Sequence, residues 1–439
     1  MKGTKRKIKE KAFNLVWGVL AKFFAGAKLS LLSIVVARFL GPEDFGLLSY
    51  VVSFVSLFSV LAEFRLQNIL VREFSEKKAS KQDLLGTSLL ICVFFAFVGY
   101  SVLTIIVLLI EDDFIVKCFI LIYGLSYFFQ CFRFLRAFFI SSYNNKFIIR
   151  AESITALLVL ILAVILVYFN SSVTAFVVLR TIDFLIFSVL LVFIYQNKHG
   201  NVFKWSINNR LKWKLIKDSS PLVLSGFAVV LIQRVDQVMI RNFIDDFAVG
   251  QYSAAVSLVS AIVFVPIILS ESLAPTLVEK KARHDEDYLA FKQKFSDYLI
   301  WGSLLVSFLI MLTSDIIIKL IYGPEYQPAI GIMKIFAYKG FLVAMGAVAG
   351  QIMIVENTHQ IAYIKSIISG AVNILLNYIL IIQFGMVGAV WASIIAFILS
   401  SYLLHFFMKR YRDIFWIQTK SLMFGWLTIA KDLSNRITK

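Results

Sequence analysis

The sequence predicts an all-α integral membrane protein: about twelve transmembrane helices in two parallel six-helix lobes around a central cavity, the lobes related by an internal repeat. Three observations carry this. The chain is 59% hydrophobic and 16% charged, with a mean hydropathy of +0.82, too little polar material to cover a soluble surface. Apolar runs long enough to cross a hydrocarbon core of ~30 Å recur from end to end. Finally, one pattern occurs twice. Gly46, Ser49, Ser53 and Ser56 fall three or four residues apart on one helical face, and Gly250, Ser253, Ser257 and Ser260 repeat that spacing. Each copy follows an acidic corner, Glu43-Asp44 or Asp245-Asp246, and each helix ends in Glu-Lys-Lys-Ala, at 76–79 and 279–282. Small and hydroxyl residues sharing a face let neighbouring helix backbones approach closely in lipid.

In order, the spans fall at about 13–40, 45–71, 84–110, 114–141, 150–169, 173–195, 219–243, 247–275, 295–321, 329–355, 360–383 and 387–408. The first ends where Gly41-Pro42 breaks the helix, and the second starts at Phe45. The basic start, Lys2 to Lys11, precedes a run too long for a signal-peptide core, with no small-residue cleavage site before the next span. With the N-terminus inside, inner segments hold about thirty Lys and Arg and outer ones about four, which sets both termini in the cytoplasm. The outer corners, including Glu111-Asp112-Asp113, are acidic. Most of the net charge of +17 is therefore a topology signal with attraction to anionic membrane lipid, and nucleic acid is not an expected partner.

The N-lobe, spans one to six, is expected over 1–195. Residues 196–218, with Lys204, Trp205, Arg210, Lys212, Trp213, Lys214 and Lys217, read as a cytoplasmic interfacial linker. The C-lobe, spans seven to twelve, follows over 219–408, and a basic amphipathic cytoplasmic tail over 409–439. Cys92, Cys118 and Cys131 lack CxxC spacing and His199, His284, His359 and His405 are scattered, so neither set points to a metal site or a disulfide framework. No nucleotide-binding loop and no acid–base constellation of an enzyme stands out.

Charged side chains at lipid depth are costly, so each is a candidate for function. The first span carries Lys22 and Lys28; the second, Glu63 and Arg65 near its inner end. The fourth carries Arg133 and Arg136, on one face with Gln130. Arg180 and Asp183 lie one turn apart in the sixth, as a structural ion pair or a substrate site. The seventh has Arg234, with Gln233, Asp236 and Gln237 on one face; the eighth has Glu271 before Pro275; the tenth has Lys334 and Lys339. Ser366, Gly370, Asn373 and Asn377 form a stripe in the eleventh, readable as helix-packing contacts or a ligand site. Glu63 with Arg65 and Arg72 reads equally as a snorkelling surface cluster. Lys22, Lys28, Arg133, Arg136 and Arg234 have no evident acidic partner in their own helices. The intramembrane set is basic on balance, which points to an anionic cargo; guanidinium forks match phosphate oxygens.

The corner from Ala37 to Phe64, continuing to Val71-Arg72-Glu73, resembles the amino-terminal signature of Wzx-type bacterial polysaccharide flippases, in the superfamily that also holds MATE multidrug exporters and lipid II flippases. Arg234-Val-Asp236 followed by Gly250-Gln-Tyr252-Ser-Ala-Ala255 is similar to that family's seventh and eighth helices. Asn373-Ile-Leu-Leu-Asn377 leading to Phe384-Gly385-Met-Val-Gly388 resembles its eleventh-to-twelfth hairpin, where glycines allow a tight turn. The resemblance runs from about residue 10 to 410 and implies a MATE-like fold in a bacterial cytoplasmic (inner) membrane. It implies a transporter, not an enzyme, that moves an undecaprenyl-pyrophosphate-linked oligosaccharide of O-antigen or capsule type to the outer leaflet by alternating access. The basic side chains Lys22, Lys28, Arg65, Arg133, Arg136, Arg180, Arg234, Lys334 and Lys339 would bind cargo, and Glu63, Asp183, Asp236 and Glu271 would couple or gate. No cofactor is expected beyond a possible coupling ion, proton or sodium; a polysaccharide polymerase is a possible partner. The rival readings are a proton- or sodium-coupled multidrug exporter, disfavoured by the absence of an acid in the first helix, and a lipid II flippase, which usually has two more spans.

Overall fold

The computed structural model describes residues 2–76, 79–282 and 287–437; side chains are described except at 2–29, 262, 264, 359, 433, 436 and 437. All regular structure among the described residues is helical. In chain order the long helices are α1 (Lys2–Glu63), α2 (Leu66–Glu76), α3 (Lys81–Ile110), α4 (Phe114–Ser141), α5 (Asn145–Tyr168), α6 (Val173–His199), α7 (Asn209–Phe243), α8 (Asp246–Ala282), α9 (Tyr288–Ile321), α10 (Ala329–Val355), α11 (Ala362–Phe407) and α12 (Arg412–Ile437). Ten helical stretches among the described residues are long and apolar enough to cross a membrane, α1 and α2 together forming one of them and α12 being outside the set.

The difference from twelve expected spans falls at two glycines. Gly41 interrupts α1 with φ 77° and ψ 173°, directly before Pro42. Gly385 interrupts α11 with φ 59° and ψ −140°. Neither angle pair is helical, and positive φ is strained for residues with a Cβ. At the second break the chain reverses. A Cβ on Gly388 would collide with the carbonyl of Leu380, yet eight residues of unbroken helix would separate those positions by about 12 Å. The expected glycine hairpin is present there.

Two acidic residues cap helix starts at the corners between spans, Asp113 and Asp245. Asp113 accepts from the backbone N–H of Ile115 at 2.7 Å and of Val116, closing the start of α4. Inside, the small-residue face of α1 does what its composition predicts: Ser53 is fully buried and donates to Gln237 of α7; nearby, a Cβ on Gly99 of α3 would press within 3.2 Å of Ala62. The fourth helix tightens into a 3₁₀ turn at Cys131–Phe134, the segment that carries Arg133.

The chain divides into two compact units, 1–238 and 239–439. The segment 196–218 is tied down within the first. Ser206 donates its N–H to Gln82 and its hydroxyl to Asp83 at 2.6 Å, and Gly86 leaves room for that backbone. Asn208 caps α7, accepting from Arg210 N and Leu211 N, so residues 209–218 are the first turns of that helix. Lys214 bonds both carboxylate oxygens of buried Glu73 at 2.7 Å, and Arg72 reaches Asp218 at 2.6 Å. Phe203, Ile207 and Trp213 remain exposed.

In the second unit, α12 forms from the basic tail and packs along α9 through polar contacts. Buried Ser421 donates to Asp297 at 2.6 Å, Gln293 bridges Asp297 and Ser421, and the Trp301 indole N–H donates to the Ser421 carbonyl. The opposite face exposes Trp416, Met423, Phe424 and Trp426. The tail is thus a helix docked on α9, with apolar side chains exposed on its other face.

Candidate functional site

The first unit carries charged side chains at the α1–α2 junction and on α4, α5, α6 and α7. Phe64 and Arg65 take positive φ (48° and 49°), breaking the second span between α1 and α2 and turning the Arg65 side chain toward α7. There it donates to the Gly226 carbonyl at 3.5 Å; a Cβ at 226 would collide with the Arg65 guanidinium. Its Nε is buried with no hydrogen-bond partner among the described residues. Next to it, Arg133 donates to Glu63 at 2.6 Å and to Gln130 at 2.9 Å. Ala62, Glu63, Arg65, Asn68, Gln130 and Arg133 are among the residues lining a cavity of about 150 Å³.

One turn beyond Arg133, Arg136 pairs with Glu152 of α5 at 2.7 Å and lies over the Phe187 ring. Glu152 carries no spacing signal; it stands two residues into the fifth expected span, where a carboxylate reads as an ordinary helix start. Both α4 arginines are therefore charge-compensated from other helices, a relation that partners within their own helices cannot reveal.

Farther along, the balance changes. Arg180 of α6 and Arg234 of α7 lie in electrostatic range of each other, and both act on the hydroxyl of Tyr123 of α4, as do Arg133 and Asp183. Phe184 bridges the set, stacking near Tyr123 and under the Arg133 guanidinium. Asp183 is buried, engaged, and in electrostatic range of Arg180, yet neither Arg180 nor Arg234 forms an ion pair within 4 Å among the described residues. The Arg180 Nε is buried and unbonded. Tyr123, at the centre, has no charge and no motif to mark it in the sequence. Asp236 is 3% exposed and engaged, beside Gln237 on the α7 face that meets Ser53.

The remaining candidates lie apart from this group. The side chains of Lys22 and Lys28 fall outside the described residues. In the second unit, Lys334 pairs with Asp315 at 2.6 Å, both half-exposed, and Lys339 lies over Phe336 and Phe397 at 4.5 and 5.0 Å from the ring centroids. Glu271 sits half-buried and engaged in α8, between Pro266 and Pro275. Along the α11 stripe Asn373 and Asn377 are fully buried, and neither amide atom of Asn373 finds a hydrogen-bond partner among the described residues. No cluster of three or more His, Cys, Asp or Glu that could hold a metal occurs among the described residues.

What this arrangement offers is guanidinium groups inside a helical bundle, in electrostatic range of an aromatic hydroxyl. The family profile described as "Polysaccharide biosynthesis protein" matches residues 14–281, more than half of the chain. The chain belongs to that family. Within it, residues 14–281 span the whole charged group of the first unit. Among characterised relatives, the chain is 24% identical over 211 residues to the "Probable low-salt glycan biosynthesis flippase Agl15" of Haloferax volcanii, covering 47% of this chain and 44% of that one. The chain thus matches less than half the length of this relative. Among solved structures, the fold is similar to the lipid II flippase MurJ in an inward closed conformation (TM-score 0.70, 14% identity, 95% of this chain and 93% of that one). It is also similar to an inward-facing MATE multidrug transporter of the MOP superfamily (TM-score 0.68, 13% identity, 90% and 96% coverage). At those identities the likeness concerns the fold, and it bears out the MATE-like all-α architecture.

Proposed function

We propose that this member of the polysaccharide biosynthesis family is a flippase for lipid-linked oligosaccharides, whose cargo carries an undecaprenyl pyrophosphate. The observation that carries the reading is the pair Arg180 and Arg234 around Tyr123: two cations at membrane depth with no ion pair among the described residues. A permanent cation there is costly unless something anionic meets it. A pyrophosphate supplies oxygens that two guanidinium forks can bind bidentately, and the Tyr123 hydroxyl is a further donor. Arg133 and Arg136 then serve differently from free cation sites. Each already holds a carboxylate, so cargo would have to exchange for Glu63 or Glu152, and Glu63 acts as a gate whose release frees Arg133.

The headgroup crosses inside the protein while the polyprenyl tail stays in the bilayer. Binding energy is spent only on the state that holds the headgroup, so cargo shifts the balance between inward- and outward-open states. Asp183, Asp236 and Glu271 are assigned to coupling, with a proton or sodium as driving ion, and Lys22, Lys28, Lys334 and Lys339 to secondary contacts with the sugar or the lipid surface. The membrane is the bacterial cytoplasmic one, with both termini inside, and a polymerase consumes the product.

The test is the sidedness of radiolabelled undecaprenyl-linked oligosaccharide in cells lacking the protein, probed in inverted vesicles and in spheroplasts. Accumulation on the cytoplasmic side, relieved by the wild-type chain and not by Arg180→Ala or Arg234→Ala at equal membrane abundance, is the expected result. Normal sidedness without the protein would overturn the reading and return attention to drug or ion export.

A further inference from the structure

The second unit holds a polar network that the cargo reading does not use. His405, completely buried near the end of α11, has both ring nitrogens engaged. Its Nδ1 lies 2.9 Å from Oε1 of Gln418 on α12, and its Nε2 lies 2.8 Å from Nζ of Lys365, near the start of α11. The protons can be placed by elimination. Gln418 points its amide nitrogen at two carbonyls, Met345 at 3.0 Å and Ser401 at 3.1 Å, and these accept only. The Gln418 oxygen must then accept from His405, so Nδ1 carries the hydrogen. Nε2 of the neutral ring is consequently a lone-pair acceptor, and Lys365 donates to it.

Position in the chain gives this contact its meaning. Lys365 and His405 stand twenty residues before and after Gly385, where α11 reverses. About twenty residues of helix make an arm of roughly 30 Å. The Lys365–His405 bond therefore clips the two arms together at the end opposite the turn. Here the helix loosens into a π-helical segment, Leu399–Leu403, whose Ser401 carbonyl is one of those Gln418 holds. Lys365 also lies over the Tyr411 ring at 5.3 Å and 3.8 Å from the Met353 sulfur. The titratable groups facing His405 are thus Lys365 from α11 and Tyr411 from the turn Lys409–Tyr411. From α12 it meets Gln418, and from α10 the network receives only the Met345 carbonyl and Met353. Among the described residues no carboxylate bonds to either nitrogen.

We propose that Nε2 of His405 is a proton-binding site that controls the α11 hairpin: a proton taken up there expels Lys365 and parts the two arms. The proton comes from water and bonds to the Nε2 lone pair. The Lys365 N–H···Nε2 bond breaks, the Nδ1–H···Gln418 bond remains, and two cations left in contact repel each other with no carboxylate to screen them. Lys365 is only half-buried, so it has a path out and water a path in. On the orientation predicted from the charge distribution this end faces the cytoplasm, so the site reads inner pH.

Double spin labels at Tyr363 and Phe407, exposed near the free ends of the arms, measure the opening directly in reconstituted full-length protein, after replacement of Cys92, Cys118 and Cys131. Expected in wild type is a longer-distance population that grows in a single step as pH falls from 7 to 3. His405→Gln, whose amide can still accept from Lys365, should stay closed at every pH, and Lys365→Met should lose the pH step. Distances in wild type that do not change with pH, or an unchanged step in His405→Gln, would overturn the site. Should a variant misfold, nitrogen-15 spectra of the wild type decide, because only four histidines contribute. A His405 ring that stays protonated at Nδ1 alone down to pH 3 overturns the proposal, and protonation of Nε2 with the distance change supports it. No cargo is involved, so a failed flipping assay and a failed clip are separate results.

Discussion

Arg180 and Arg234 differ from Arg133 and Arg136 in one respect: no carboxylate forms an ion pair with them among the described residues, although Asp183 lies in electrostatic range of Arg180. That difference ranks the mutations. Arg180→Ala and Arg234→Ala should abolish transport with little loss of folded protein, since removing a buried charge that forms no ion pair also removes its desolvation cost. Lysine at either site keeps the charge but loses the fork, so transport should fall by about tenfold or more, as expected for a lost bidentate contact worth 1–3 kcal/mol. Complementation of the sidedness defect, normalised to membrane abundance, reads both. Arg136→Ala is the contrast. It strands Glu152, 8% exposed, so its main effect should be on stability, about 3–5 kcal/mol by analogy with other broken buried pairs, seen as a lower melting temperature. Glu63→Gln should act more mildly on stability, because that pair is a third exposed, and should raise affinity for an anionic headgroup by freeing Arg133.

Two glycines decide the helical elements. Gly385 at φ 59° makes the reversal of α11 possible, and Gly388 lets the return arm pass the Leu380 carbonyl. Gly388→Ala should therefore be worse than Gly385→Ala, although only Gly385 has positive φ. A strained dihedral costs about 1–2 kcal/mol, whereas a collision with backbone forces the arms apart. Yield of folded protein and thermal stability of the two variants provide the comparison. Gly226 poses the same kind of constraint between α7 and Arg65: Gly226→Ala should dislodge the guanidinium, and transport should drop to the level of Arg65→Ala. A transport rate at wild-type level in Gly226→Ala would show that Arg65 has no part in the path.

At the scale of the molecule, composition and repeat declared the class, and physical chemistry explains why. Burying apolar helices in lipid leaves a statistical trace over hundreds of residues, and the fold similarity to MATE and MurJ structures agrees with it. The turn at Gly385 and the packing face through Ser53 were legible too, because glycine and serine carry local geometric meaning. A list of buried charges also followed from the sequence alone. Which of them remain uncompensated did not. Arg133 finds its acid 70 positions away, Glu152 answers Arg136 from another helix, and Tyr123, an unremarked tyrosine, becomes the centre of the basic group. The docking of the basic tail on α9 and the Lys365–His405 clip have the same origin. Periodicity along a helix reports what faces lipid and what faces protein, and so determines that the chain spans a membrane with charge inside it. Electrostatic pairing depends on distances of a few ångströms between segments far apart in sequence, and those only the tertiary structure decides.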